Sequence, residues 1–311
     1  MQCPLGCGPL QQDETPLRDN RMGLPHAVRL AWCGECGLGV TLDAPPAHEL
    51  AKLYEQRYVT DEERRVPRTG LLARGWHALN GSLPLTDLVQ SGPVLDVGCN
   101  TGEALVALRA RGFEVMGLEP NPEAAAVARG YGLDVIEASI EEAELPQSRF
   151  GAVLLSQVLE HVEDPAAVLE KVRPTLRPGG TIYVVVPNAD SLWRSVFGRH
   201  WVHWHVPFHL YHFTERALEK LCEQSGLEVR RTRNITPGEW LLMSLAARRN
   251  ARHGRFELDS FSGRYAARLL VAPAGRVADA LHRGDAIVAQ AQPLTRDNRG
   301  RSARRVPHPR L

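Results

Sequence analysis

The sequence lacks any apolar run that approaches the roughly 20 residues needed to cross a bilayer. Its N-terminus, MQCPLGCGPL, also lacks the basic region and the following apolar run of a secretion signal, so we expect a cytoplasmic protein without a membrane span. Hydrophobic residues make up 43% of the 311 residues and charged residues 23%, which is ordinary for a globular protein with a real core. This length suits one large domain with attachments, or two domains.

Lysine is scarce, since only three of the 37 basic residues are lysines. The net charge of +1 conceals an asymmetry, because the chain from Leu241 onward has fourteen arginines and five acids, a net of +9. Such a segment can bind nucleic acid or a membrane surface. Here the arginines are scattered, and residues 294–311 have few groups with which to pack. We therefore predict a disordered arginine-rich tail over 294–311 and do not expect nucleic acid as a partner.

Cysteine is also sparse, and four of the six cysteines lie in the first 36 residues. CPLGCG and CGECG predict two knuckles, and without a secretion signal this pattern favours a metal over disulfides. Four thiolates at one point suit tetrahedral zinc. We predict a zinc-binding module over residues 1–42, followed by a helical linker over 43–91, with structural zinc held by Cys3, Cys7, Cys33 and Cys36. The first knuckle has three intervening residues rather than two, and reduced, unliganded thiols are the alternative.

A glycine-rich turn after a predicted strand begins the most informative region. VLDVGCNTGEALVALRARG predicts a buried strand, a turn and a helix, and FEVMGLE predicts a second strand that ends at Glu119. NPEAAAVARGYG predicts a second helix and DVIEA a third strand. Glycines allow a ligand to approach the backbone at a helix N-terminus, and an acid at the end of the second strand can accept hydrogen bonds from a ribose diol.

The spacing of this turn distinguishes between cofactor classes. A dinucleotide fold would show G-x-G-x-x-G, whereas this chain has Asp96-x-Gly98-x-x-x-Gly102. The pattern resembles motif I of the class I S-adenosylmethionine-dependent methyltransferases, and Glu119 resembles their ribose-binding acid. The resemblance covers about Pro93 to Pro293 and includes RFGAVLLSQVLEHVEDPAAVLEKVRPTLRPGGTIYVVVPN. Within the family, the chain is similar to the small-molecule branch, which includes the ubiquinone-pathway O-methyltransferases.

The resemblance implies a fold, a cofactor and a set of contacts. The fold is α/β and Rossmann-like, with a seven-stranded, mostly parallel sheet and an antiparallel last strand over 92–293, and a helical insertion over 240–283. The cofactor is S-adenosylmethionine. The implied cofactor-binding residues are Asp96, Gly98, Cys99, Gly102, Glu119, Pro120, Ser139 and Gln157.

Three positions depart from the family pattern. Gly151 stands where most relatives have aspartate, which should affect packing more than chemistry. Ser139 stands where an acid often contacts the adenine. Gln157 stands where the ubiquinone-pathway enzymes have a glutamate that, with the acid and histidine equivalent to Glu160 and His161, can hold a divalent metal. Because a hard cation needs that charge, we do not expect such a metal here, and His161 can instead act as a base or cap the next helix.

The segment HWVHWHVPFHLYHF, residues 200–213, contains five of the twelve histidines. It follows the predicted fifth strand, so it lies at the ligand-binding edge of the sheet, where its aromatic residues can form a lid that excludes water. The histidines can supply a general base, bind a metal or form a hydrogen-bonded wall. Pro207 interrupts any helix, and the lack of a carboxylate between Asp190 and Glu215 argues against a metal.

One part of this segment, PFHLYHFT, resembles a recurrent methyltransferase segment that lies over the active site. We therefore predict His209 as the base or acceptor-positioning residue, with His205 and His212 behind it. His161 is a second candidate base. The wall interpretation stays open for each of them.

The predicted function is methyl transfer from S-adenosylmethionine to an oxygen or carbon of a small-molecule acceptor, such as a sugar or glycan precursor, a quinone or another secondary metabolite. The four-cysteine module also resembles the deoxysugar C-methyltransferases, but these have a further C-terminal domain for which there is no room after residue 293. The alternatives are a non-catalytic cofactor-binding or zinc-mediated interaction protein, and an RNA-directed methyltransferase. Steeply salt-dependent binding would indicate the latter.

Overall fold

The computed structural model describes residues 1–46, 48–50, 52–53, 84–254 and 265–294. Most of the linker predicted over 43–91 and nearly all of the arginine-rich tail therefore lie outside the described residues. Within the described part of the chain, no helix combines the length and apolar character needed to span a membrane.

The first strands form a small antiparallel sheet around one central strand. They are β1 (Leu10–Gln12), β2 (Leu17–Arg18), β3 (Ala27–Cys33) and β4 (Gly39–Leu42). The central strand, β3, pairs with the other three. In the first half of β3, Ala27 and Arg29 are exposed and alternate with the buried Val28 and Leu30, which is the pattern of a strand with one solvated face.

The following strands belong mainly to a second, larger sheet. They are β5 (Val94–Val97), β6 (Val115–Leu118), β7 (Val135–Ile136), β8 (Phe150–Ser156), β9 (Leu176–Pro187), β10 (Tyr211–His212), β11 (Leu227–Ile235) and β12 (Ala286–Pro293). All except β10 form a seven-stranded sheet in the order β11-β12-β9-β8-β5-β6-β7. Strands β5 to β9 are parallel to one another, and β12 is antiparallel to both β9 and β11. The predicted Rossmann-like fold, with its antiparallel last strand, is confirmed.

Helices connect these strands, and α2 and α3 lie in the segments for which the sequence predicts helices. They are α1 (Leu85–Leu88), α2 (Glu103–Ala110), α3 (Pro122–Gly130), α4 (Pro165–Val172), α5 (Leu192–Phe197), α6 (Glu215–Gln224), α7 (Gly238–Ala251) and α8 (Tyr265–Ala280). The Asn121 side chain caps α3 by accepting from the amides of Glu123 and Ala124, and Thr214 caps α6 by accepting from Ala217 N. Helices α7 and α8 lie between β11 and β12, in the segment predicted as a helical insertion.

Gly151, in β8, stands at a position with no room for a side chain. A Cβ atom there would lie 2.7 Å from Ser91 Oγ and 2.8 Å from Gly92 O. The residues just before β5 therefore pack directly on the β8 backbone, which gives this departure from the family pattern a packing cause.

The short strand β10 connects the two parts of the molecule. It pairs antiparallel with β4, with Tyr211 opposite Val40 and His212 opposite Gly39, and becomes the fifth strand of the N-terminal sheet. A Cβ atom on Gly39 would lie 2.6 Å from the Trp32 ring and 3.0 Å from His212 Cβ, so only glycine allows this approach. The histidine-rich segment after β9 thus belongs to the N-terminal sheet by hydrogen bonding.

Candidate functional site

The glycine-rich turn lies between β5 and α2, at the carboxyl edge of the larger sheet. Gly98 and Gly102 have φ values of +71° and +81°, in the left-handed region that favours glycine. A Cβ atom on Gly102 would also lie 2.4 Å from Leu133 Cδ1. Both backbone conformation and close packing therefore require glycine at position 102, and the turn presents its backbone at the start of α2.

Glu119, directly after β6, holds this turn in place. Its Oε2 accepts a hydrogen bond from Asn100 N at 2.8 Å, and its Oε1 accepts one from Asn121 N at 2.9 Å. Burial raises the pKa of this carboxyl group, while the two amides lower it. Because each carboxylate oxygen can accept a further hydrogen bond, Glu119 can still receive two adjacent hydroxyl groups of a ligand.

Asp96, in β5, is the second buried acid at this edge. Burial, and then the nearby charge of Glu119, raise its pKa to about 7. A cationic ligand group would favour the ionised form of such an acid, because an opposite charge lowers its pKa.

The other predicted cofactor residues lie at the carboxyl ends of neighbouring strands. Cys99 is buried within the turn, and Pro120 is exposed after β6. Ser139 follows β7, where its Oγ accepts from Glu142 N at 3.3 Å. Gln157 follows β8 in a left-handed conformation, with φ of +57°. Its backbone N–H donates to Val185 O at 2.8 Å. All eight predicted residues therefore lie along one sheet edge, with Asp96 near the end of β5 and the others after β5, β6, β7 and β8.

Histidines gather near the same edge, beyond β8 and β9. His203, His205, His209 and His212 are buried, whereas His161 is half-buried. The ring centroid of His209 lies 4.6 Å from that of His161 and 4.9 Å from that of His205. The structure thus brings together the predicted His161, His205 and His209, which come from two segments of chain.

Burial keeps these imidazoles neutral. It lowers the pKa of His161 to about 4 and the pKa values of His203 and His212 to about 3, and it lowers those of His205 and His209 as well. His209 Nδ1 lies 2.9 Å from His203 O, and His209 Nε2 lies 3.3 Å from His205 Nδ1. His161 is the one residue among these five histidines that is only half-buried. The assignment of the base to His209 stays a prediction.

Thr41, on β4, contacts the histidine segment from the N-terminal sheet. Its Oγ1 donates to His209 O at 2.6 Å and lies 3.0 Å from His212 Nε2, and its amide donates to Leu210 O at 2.9 Å. Nothing in the sequence around Thr41 indicated this role, because its partners are more than 160 residues away.

Asp285, just before β12, accepts hydrogen bonds from residues at and before the start of the histidine-rich segment. Its Oδ1 accepts hydrogen bonds from Ser191 Oγ at 2.6 Å and from Trp201 Nε1 at 2.7 Å. The side chain is buried, and burial raises its pKa to about 7. Asp285 was also missed in the sequence, since it precedes a strand far from the glycine turn.

The four N-terminal cysteines lie together, with their sulfur atoms within 4.8 Å of one another. The Cys3 and Cys36 sulfurs are 3.7 Å apart. Two sulfurs bound to one zinc at about 2.3 Å in tetrahedral geometry are about 3.8 Å apart, so the spacing fits zinc. Backbone amides of Leu5 and Cys7 reach the Cys3 sulfur, and those of Glu35 and Cys36 reach the Cys33 sulfur. Hydrogen bonds from these amides to sulfur favour the thiolate form that binds a metal.

The first knuckle, from Cys3 to Cys7, is one residue longer than the second and forms a tight turn through its own backbone. Gly6 has φ of +63°, and its amide donates to Cys3 O at 2.8 Å. Thr214, the N-cap of α6, donates from Oγ1 to Cys36 O at 2.7 Å. The cysteine cluster therefore packs against the residues that follow the histidine segment.

Comparison with known proteins identifies the family. The family model described as "Methyltransferase domain" matches residues 70–232, which is more than half of the chain. The protein belongs to this methyltransferase family. The matched region begins within the segment predicted as a linker.

Curated relatives include several ubiquinone biosynthesis O-methyltransferases. The protein of Paracidovorax citrulli is 28% identical over 213 residues, covering 63% of this chain and 87% of its own length. That of Leptothrix cholodnii is 26% identical, covering 46% of this chain and 66% of its own length. That of Xanthomonas campestris pv. campestris is 38% identical over 103 residues, covering 30% of this chain and 43% of its own length. The match therefore spans about two thirds or less of the length of the Leptothrix and Xanthomonas proteins.

Among solved structures, an S-adenosylmethionine-dependent methyltransferase of Thermotoga maritima is 18% identical to this protein. The superposition covers 78% of this chain and 99% of that chain, with a TM-score of 0.49.

Proposed function

We propose that this protein transfers a methyl group from S-adenosylmethionine to an oxygen or carbon atom of a small molecule. The observation that carries the proposal is the buried Glu119 carboxylate, which accepts from the glycine turn and has further lone pairs for a ribose diol. The sulfonium and ammonium groups of the cofactor would favour the ionised form of Asp96. Family membership and the ubiquinone O-methyltransferase relatives support both the cofactor and a small acceptor.

In this proposal the acceptor lies against His161, the half-buried histidine of the group. Methyl transfer requires an in-line approach of the nucleophile to the methyl group, and exclusion of water assists it. The buried aromatic residues Trp201, Trp204 and Phe208 are available to exclude water beside the histidines. A sugar or glycan precursor, a quinone or another secondary metabolite remains the proposed class of acceptor.

We further propose that Cys3, Cys7, Cys33 and Cys36 bind a structural zinc ion. Four thiolates complete a tetrahedral shell, so this zinc would stabilise the N-terminal sheet and would leave no position for a substrate. The 3.7 Å spacing of the Cys3 and Cys36 sulfurs supports this role.

Calorimetric titration with S-adenosylmethionine and S-adenosylhomocysteine tests the cofactor site. We expect one-to-one micromolar binding that weakens about 100-fold or more in Glu119→Ala, because two cofactor hydrogen bonds and the support of the turn are lost together. Glu123→Ala is the matched control, since Glu123 is exposed on α3 and should bind both ligands normally. Absence of binding by folded protein would reject the proposal. Confirmed binding would justify an acceptor screen that measures release of S-adenosylhomocysteine.

A further inference from the structure

Three of the clustered histidines bring one ring nitrogen each to a common point. His161 follows β8, His205 and His209 follow β9, and potential ligand atoms of the three lie within 4.8 Å of one another. Two backbone hydrogen bonds hold these residues together. Leu210 N donates to Glu160 O at 2.7 Å, and His209 N donates to His205 O at 3.1 Å.

Backbone carbonyl groups determine which nitrogen carries the lone pair in two of these rings. Nδ1 of His161 lies 3.2 Å from Phe208 O, and Nδ1 of His209 lies 2.9 Å from His203 O. Because a carbonyl oxygen only accepts, the proton of each neutral ring is on Nδ1 and the lone pair is on Nε2. Metal-binding histidines typically have this arrangement, in which the other ring nitrogen donates to a carbonyl, a carboxylate or water.

The separation of two nitrogens matches a tetrahedral metal centre. His209 Nε2 and His205 Nδ1 are 3.3 Å apart. Two nitrogens bound to one zinc at about 2.0–2.1 Å in tetrahedral geometry are about 3.3 Å apart. Without a metal, the same distance suits a hydrogen bond from His205 Nδ1 to His209 Nε2. With a metal bound to His205 Nδ1, the proton of the His205 ring is on Nε2. The nitrogen of His161 would need to approach by no more than about 1.5 Å to complete the geometry.

We propose that His161, His205 and His209 bind a divalent transition metal. Imidazole ligands suit zinc, copper, iron and nickel, whereas magnesium and calcium prefer oxygen ligands. This ligand set differs from the acidic set of the ubiquinone-pathway relatives, which Gln157 interrupts. The sequence disfavoured a metal because Pro207 interrupts any helix and no carboxylate lies between Asp190 and Glu215. In the structure, His161 joins His205 and His209 from another part of the chain.

Three histidines leave a fourth position open, as in catalytic zinc sites. His161 is the half-buried member of the three, whereas His205 and His209 are buried, so in this proposal the acceptor reaches the open position from the side of His161. A hydroxyl or enol oxygen of the acceptor fits this position. The metal would lower the pKa of that oxygen, and its proton would pass to solvent water before methyl transfer. This catalytic role rests on the proposed function, whereas metal binding itself does not.

Metal stoichiometry of the full-length protein tests the site without cofactor or acceptor. We expect two equivalents of zinc in the wild type and one in His161→Gln and in His209→Gln. His200→Gln is the control and should keep two equivalents, because His200 lies in the same segment but outside the cluster.

Cobalt spectroscopy of the wild type keeps the proposal testable if a histidine variant does not fold. After chelation, Co²⁺ bound at the cysteines gives thiolate charge-transfer absorption, whereas Co²⁺ bound by nitrogen gives ligand-field bands without it. Binding of a second equivalent of Co²⁺ without further thiolate charge-transfer absorption would support the histidine site. Only one equivalent, all of it bound by thiolates, would overturn the proposal, as would a second equivalent that persists in folded His161→Gln and His209→Gln.

Discussion

The two sides of the proposed active site differ in how much of the chain they need. The cofactor side is formed by one continuous stretch from β5 to the residue after β8, in which each contact is made by neighbouring strand ends. The histidine side combines the segment after β9 with the N-terminal sheet, and the Thr41–His209 hydrogen bond joins residues that are 168 positions apart. The cofactor side can therefore form within the larger domain alone, whereas the acceptor side depends on both parts of the molecule.

Loss of the cysteine cluster should give the largest difference between the two sides, lowering acceptor turnover but not cofactor affinity. In Cys33→Ala we expect acceptor turnover to fall about 100-fold, because misplacement of reacting groups by about 1 Å has effects of this size. The dissociation constant for S-adenosylmethionine should change little, since the cysteine cluster packs against Thr214 at the start of α6, whereas Glu119 holds the glycine turn. Kinetics and calorimetry on one preparation measure both effects. Cys222→Ala, which replaces a buried cysteine outside the cluster, is the control. An equal loss of cofactor binding in Cys33→Ala would show that the cofactor side depends on the N-terminal sheet as well.

Replacement of Asp285 should change how the stability of the histidine side depends on pH. The folded-state pKa of Asp285 is raised to about 7, so its stabilising contribution is complete below the unfolded-state value near pH 4 and is lost as the pH rises through 7. Asn keeps an oxygen for Ser191 and Trp201 but does not ionise. Relative to the wild type, Asp285→Asn should gain on the order of 4 kcal/mol in free energy of unfolding between pH 4 and pH 8, because the pKa differs by about three units between the two states.

Urea unfolding of both proteins at pH 4, 6 and 8 measures this difference. Asp134→Asn is a suitable control, because Asp134 is exposed before β7 on the opposite edge of the sheet. A constant difference between wild type and Asp285→Asn across this range would contradict the assigned pKa shift.

Removal of the Thr41 hydroxyl should have the smallest effect. In Thr41→Val, His209 O loses a 2.6 Å hydrogen bond and His212 Nε2 loses its 3.0 Å contact, while the backbone pairing with Leu210 persists. We expect kcat to fall about tenfold, which corresponds to about 1.4 kcal/mol, with cofactor affinity unchanged. Thr41→Ser retains the hydroxyl and should restore kcat; failure of this rescue would assign Thr41 a packing role only.

The fold was predictable where the signal is local. The apolar runs of β5 and β8, the periodicity of α2 and the Asn121–Pro122 start of α3 each lie within a few residues, and they define the parallel sheet. Strand β10 was not predictable, because two residues carry no periodicity and its partner β4 lies about 170 positions earlier.

The same distinction applies to the site. Gly98, Gly102 and Glu119 were identified by their spacing relative to strand ends, and the structure places them together. The contact of His161 with His209 depends on how two loops after β8 and β9 meet, which spacing does not reveal. Thr41 and Asp285 act through residues far away in sequence, so no local pattern marks them.

The pairing of β10 with β4 also has a consequence for how the chain folds. During synthesis, the strands up to Leu42 emerge early, but their sheet lacks its fifth strand until His212 has left the ribosome. Until then, the open edge of β4 presents unpaired backbone groups, which are a hazard for association with other chains. We expect the N-terminal sheet to acquire its final stability late, together with the larger domain, and its amides to exchange with solvent as one unit with those of Tyr211 and His212.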